Sequence, residues 1–74
     1  SDKYNEYVMT RLRTIWGIDL YYVKSNFGED ALKGLLNGSQ QYINSGYMQQ
    51  SEENVTLTPK GKFIADKIAS DLFL

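Results

Sequence analysis

The chain contains no cysteine, so no disulfide, iron–sulfur cluster or thiolate metal site can form within it. It contains no histidine either. A histidine-centred acid–base or zinc site is thereby excluded, and only carboxylates, tyrosine and lysine remain for chemistry. Neither charge is in excess, since eight Lys and Arg stand against nine Asp and Glu among 74 residues. A dedicated DNA-binding domain ordinarily concentrates cations on one face, because phosphate neutralisation supplies much of its affinity. No segment has the apolar length of a bilayer crossing, and no basic-then-apolar start marks a signal peptide. The expectation is a single cytoplasmic domain over residues 1–74, a monomer in isolation, binding neither nucleic acid nor membrane. The start at Ser1-Asp2-Lys3 and the apolar finish Asp71-Leu72-Phe73-Leu74 suggest a piece of a longer protein, which mass spectrometry of the native product would test.

The one proline marks the most informative segment, Leu57-Thr58-Pro59-Lys60-Gly61. Thr58 can accept from the free amides of a helix's first turn, and Pro59 lacks the N–H that would go unpaired there. A helix is expected over residues 59–71, with Phe63, Ile64, Ile68 and Leu72 on one face. Before it runs a hairpin: Gly46-Tyr47-Met48-Gln49-Gln50, a polar Ser51-Glu52-Glu53-Asn54 turn, then Val55-Thr56-Leu57.

Helical spacing dominates the first half. Tyr4, Val8, Leu12 and Ile15 form one stripe that Trp16 extends, predicting a first helix over residues 3–15 that Gly17 stops. Asp19 is the N-cap of a second helix, with Ile18 packing outside it and Phe27-Gly28 closing it. A third helix begins at Glu29-Asp30, acids that suit its dipole, and runs to about residue 45 with Leu32, Leu35, Leu36, Tyr42 and Ile43 inward. Gly34 and Gly38 weaken it, and Gly38 is a candidate kink or cap. The fold class is therefore mainly α with a small β-hairpin, winged-helix-like, in the order helix, helix, helix, strand, strand, helix. Ten rings are expected to supply the core: Tyr4, Tyr7, Trp16, Tyr21, Tyr22, Phe27, Tyr42, Tyr47, Phe63 and Phe73.

No catalytic, cofactor-binding or metal-binding residue emerges. Glu29-Asp30 and Glu52-Glu53 pair carboxylates in sequence, but neighbours on a helix diverge by about 100° and the second pair sits in a turn, so both read as solvated charge. The third helix would be the reading helix of a winged-helix transcription regulator, yet it begins with two acids and offers only Lys33, where phosphate and guanine contacts need Lys and Arg. Glu52 and Glu53 stand where a DNA-binding hairpin would carry cations. A protein-packing or adaptor role suits the same scaffold better. Tyr7, Arg11 and Arg13 are either the solvated side of the first helix or a docking surface, Tyr and Arg being common interface anchors. Glu6 and Arg13, seven residues apart, share a face that could meet something beyond the helix.

The segments Glu6-Tyr7-Val8-Met9 and Leu12-Arg13-Thr14-Ile15-Trp16-Gly17-Ile18-Asp19-Leu20, followed by Phe27-Gly28, Gly46-Tyr47-Met48 and Leu57-Thr58-x-x-Gly61, form an ordered set. The set resembles the C-terminal domain of the oxygen-independent coproporphyrinogen III oxidase family, across essentially the whole chain. The resemblance implies a parent of the radical S-adenosylmethionine class, either an oxidase that converts two propionates of coproporphyrinogen III to vinyl groups or a haem-chaperone relative. It implies that an N-terminal barrel holds S-adenosylmethionine and a four-iron cluster on three cysteines, and that no catalytic role falls on this segment. It also implies that this domain packs on the barrel, with Glu6, Arg13 and Trp16 near the junction.

Overall fold

Tyr4, Val8 and Leu12, one residue per turn, make the buried face of the first helix, α1 (Asp2–Leu12), as their spacing requires. The computed structural model describes residues 2–74; Ser1, part of the expected abrupt start, lies outside the described residues. α1 stops at Leu12, three residues before the expected end. Thr14 is the cause. Its hydroxyl donates to the Arg11 carbonyl at 2.7 Å and accepts from the Gly17 amide at 3.1 Å, local bonds that compete with the helical ladder. Gly17 then takes φ +70°, and a Cβ added there would lie 2.2 Å from the Val55 carbonyl oxygen. Only glycine meets both demands. The turn sends Ile15 and Trp16 into solvent, 79% and 62% exposed, which corrects the expectation that both continue the inward stripe.

After the turn come β1 (Ile18–Asp19), α2 (Leu20–Phe27) and α3 (Glu29–Asn44). Asp19 caps α2 as expected, its carboxylate accepting from the Tyr22 amide at 3.1 Å. α3 runs unbroken for 16 residues, so Gly38 is neither kink nor cap. It leaves room for Leu72, whose Cδ2 would stand 3.0 Å from an added Cβ.

The hairpin is β2 (Met48–Gln50) and β3 (Asn54–Leu57). β1 pairs antiparallel with the other side of β3, Ile18 opposite Val55, giving a three-stranded sheet in the order β1-β3-β2. The expected element order holds, with this short third strand added. Two residues are too few to show the alternation that announces a strand.

Thr58 caps the segment after the hairpin. Its hydroxyl accepts from the Gly61 amide at 3.2 Å and donates to the Gly46 carbonyl at 2.7 Å, tying the hairpin's start to its end. The expected continuous helix over 59–71 is instead a 3-10 turn (Gly61–Ile64) and then α4 (Ala65–Leu72). Gly61 is pressed against the hairpin, where an added Cβ would sit 2.0 Å from the Tyr47 carbonyl oxygen. The backbone breaks at Ile64 (φ −126°, ψ 31°) before α4 winds. The break turns Phe63 outward, 90% exposed, against the expectation that it lies on the inner face with Ile68 and Leu72.

The core is more aliphatic than expected. Val8, Leu12, Ile18, Leu35, Val55 and Ile68 are fully or almost fully buried, whereas of the ten rings only Tyr4 and Tyr42 are buried. Tyr7, Phe27, Tyr47 and Phe73 pack partly buried against them. Trp16, Tyr21, Tyr22 and Phe63 face solvent. Where the chain finishes, Asn5 clasps Leu74 in both directions, donating to its carbonyl oxygen at 3.2 Å and accepting from its amide at 2.8 Å.

Candidate docking surface

Three open grooves surround α1 and the turn after it, and the three expected junction residues fall one to each. Glu6 stands at a groove of about 620 Å³ between α1 and α2, with Tyr7, Tyr22 and Phe27. Arg13 lines one of about 610 Å³ with Lys62, Phe63, Asp66 and Lys67. Trp16 lines one of about 510 Å³ with Tyr21, Glu52 and Glu53. The fold does not gather Glu6, Arg13 and Trp16 into one pocket. It spreads them along one helix and its trailing turn.

All three of the side chains first read as a docking surface, Tyr7, Arg11 and Arg13, are engaged by other residues of the domain. The Tyr7 ring stacks on Tyr22 at 4.5 Å and 12°, and its hydroxyl accepts from the Asp19 amide at 3.1 Å. Arg11 donates through Nε to the Gly17 carbonyl at 3.1 Å. Arg13 forms an exposed ion pair with Asp66 of α4.

The apolar exposure lies elsewhere. Ile15, Trp16 and Tyr21, the last 78% exposed, stand within six residues of one another in sequence. Asn54 fixes the turn beneath them by donating Nδ2 to the Trp16 carbonyl at 2.7 Å, and the Leu20 amide donates to the Glu53 carbonyl at 2.9 Å. Both bonds hold the rings beside the β2–β3 turn. Ile15 and Tyr21 escape sequence reasoning. Ile15 fits the helical stripe, and residue type does not separate Tyr21 from inward-facing rings, since a buried helix face about 100° wide can hold two neighbours, as Ile68 and Ala69 do in α4.

Tyr42, Asp71 and Lys67 form one linked set of titratable groups. Tyr42 donates to the Asp71 carboxylate, and the Lys67 ammonium lies 3.2 Å from that carboxylate and 3.4 Å from the Tyr42 oxygen. Hydrogen bonding to Asp71, then burial, raises the Tyr42 phenol above its ordinary value. Asp71, then Tyr42, raises Lys67. The Tyr42 hydroxyl, then Lys67, lowers Asp71. Each group is thus held in the form it already has at neutral pH, which makes a strap from α3 to α4 and offers no proton for transfer. Burial pushes Tyr4 up to about 12.

Glu29 faces Lys24 at 3.5 Å, and among the described residues no three Asp or Glu converge as a metal set. No helix among them is long and apolar enough to cross a membrane.

Residues 1–64 match the family model described as HemN C-terminal domain. No curated protein and no solved structure matches the chain.

Proposed function

The chain belongs to the HemN C-terminal domain family, and from that premise we propose that it is the non-catalytic accessory domain of an oxygen-independent coproporphyrinogen III oxidase-like protein, seated on the parent's radical S-adenosylmethionine barrel. The parent is an oxidase of porphyrin biosynthesis or a haem-chaperone relative of it.

A four-iron cluster needs cysteine thiolates, and this chain has none. Its donor set does not fit the group. The cluster, and the S-adenosylmethionine that binds with it, is therefore assigned to the preceding domain.

The observation that carries the packing role is the exposure of Ile15, Trp16 and Tyr21 on one turn and the helix start after it. Burying one such side chain fully is worth about 1.5–3 kcal/mol, so a second surface that covers them stabilises the assembly. Glu6 on α1 and Arg13 at the start of that turn are assigned to the same junction.

The test is the full-length parent carrying Trp16→Ser. Trp16 adds little to this domain's own core, so the expected result is unchanged helical content with a Tm lower by several degrees or with reduced activity. A variant indistinguishable from wild type in both would remove Trp16 from the junction.

A further inference from the structure

We infer that the groove between the 13–17 turn and the β2–β3 turn receives a cationic side chain, a lysine or arginine carried by the domain that precedes this one. The inference rests on the packing role above and adds the chemistry of the contact.

Three carboxylates, Asp19, Glu52 and Glu53, line the groove against one guanidinium, Arg11. Arg11 is turned to the Gly17 carbonyl. Asp19 is engaged in capping α2, but Glu52 and Glu53 form no ion pair with any described residue. Both therefore hold uncompensated negative charge beside two exposed rings, Trp16 and Tyr21.

Aromatic faces attract cations through the ring quadrupole, and the attraction grows as water is excluded. Carboxylates at the same groove add a directional, charge-assisted hydrogen bond. Together they select a cation with an apolar stem, which describes a lysine or arginine side chain. Exposed Ile15, the chain neighbour of Trp16 outside the groove lining, adds apolar surface next to it, favouring a side chain on a folded surface over a free ion.

The neighbouring groove has the opposite sign. There Arg13, Lys62 and Lys67 line the groove with Asp66; Arg13 pairs with Asp66 and Lys67 with Asp71, which leaves Lys62 as the cation with no ion pair to a described residue. The 13–17 turn lies between the two, so a partner with a basic group at one point is oriented as well as attracted.

The experiment is hydroxyl-radical footprinting of the full-length parent, read by mass spectrometry at Trp16 and Tyr21, for wild type and for E52K/E53K. Both substituted residues are exposed and outside the core, and far-UV circular dichroism checks that the fold is kept. Wild type is expected to protect both rings several-fold relative to the urea-unfolded protein, and E52K/E53K to lose most of that protection. Equal protection in the two proteins would overturn the cation and leave the packing role standing. Rings oxidised in wild type as fast as in urea would end both. Protection that rises with protein concentration would make the occupant a second copy and likewise overturn the assignment.

Discussion

Arg13 and Asp66, 53 positions apart, form an exposed ion pair that joins the turn after α1 to the first turn of α4. Exposed pairs of this kind contribute about 0–1 kcal/mol, because solvent screens the charges and two long side chains lose freedom. A double-mutant cycle of Arg13→Ala and Asp66→Ala in the isolated chain, followed by urea unfolding, should return a coupling below about 1 kcal/mol. In the full-length parent Arg13→Ala should lower Tm or activity by more than this small coupling explains. Equal effects in the two settings would confine Arg13 to its partner on α4.

Gly61 and Gly34 should respond oppositely to alanine. At Gly61 a methyl group meets the Tyr47 carbonyl oxygen, a backbone atom that cannot swing aside; overpacking of this sort costs about 1–3 kcal/mol. At Gly34 the nearest atom is the flexible Leu74 Cδ2 at 3.7 Å, and the position is exposed inside α3. Alanine there should stabilise the chain by about 0.5–1 kcal/mol. Urea midpoints of the two variants, moving in opposite directions, check both statements.

Tyr4 governs part of the alkaline limit. Its phenol ionises near 10.0 in the unfolded chain and at about 12 when folded, so above pH 10 the unfolded state binds fewer protons and stability falls as pH rises. Tyr42, raised by Asp71 and by burial, acts in the same direction. Thermal melts of Tyr4→Phe between pH 9 and about pH 12 should therefore decline less steeply than those of wild type. Parallel curves would show that Tyr4 is not the group responsible.

Asp71 sets a limit at the acid end. Its folded carboxyl is held below 3.8 by the Tyr42 hydroxyl and the Lys67 ammonium. The stability supplied is complete above the unfolded value and is lost as pH falls through the lowered folded one. Asp71→Asn should accordingly melt below wild type at pH 7, with the gap closing as pH drops under 3.8. A gap independent of pH would assign the effect to packing.

The features legible in the sequence were those decided within a turn or two of chain. Asp19 caps α2 three residues on, Thr58 caps Gly61, and Tyr4, Val8 and Leu12 mark one face by spacing alone. Ile15 was not legible, because the stripe continues through it. Its exposure follows from Thr14 choosing the Arg11 carbonyl and from Gly17 docking on Val55, a contact between distant segments. β1 was hidden for the same reason, since two residues become a strand only when β3 lies beside them.

The candidate docking surface was half legible. Trp16 stood out by type and by position in the family pattern. Glu52 and Glu53 read as solvated turn charge, and nothing local ties them to a ring 36 or 37 positions earlier. The sheet register and the Asn54 bond to the Trp16 carbonyl bring them together.

The clasp between Asn5 and Leu74 has a bearing on how a preceding domain can sit. Any polypeptide leading into α1 arrives at the pole where that clasp closes. Trp16 lies beyond the far end of α1, whose 11 residues span about 16 Å. A partner that covers Trp16 cannot simply stack on the incoming end of the helix. Glu6, about one turn into α1, lies between the two ends of the helix, so contacts at Glu6 and at Trp16 call for a surface that extends along α1 and not for a single point.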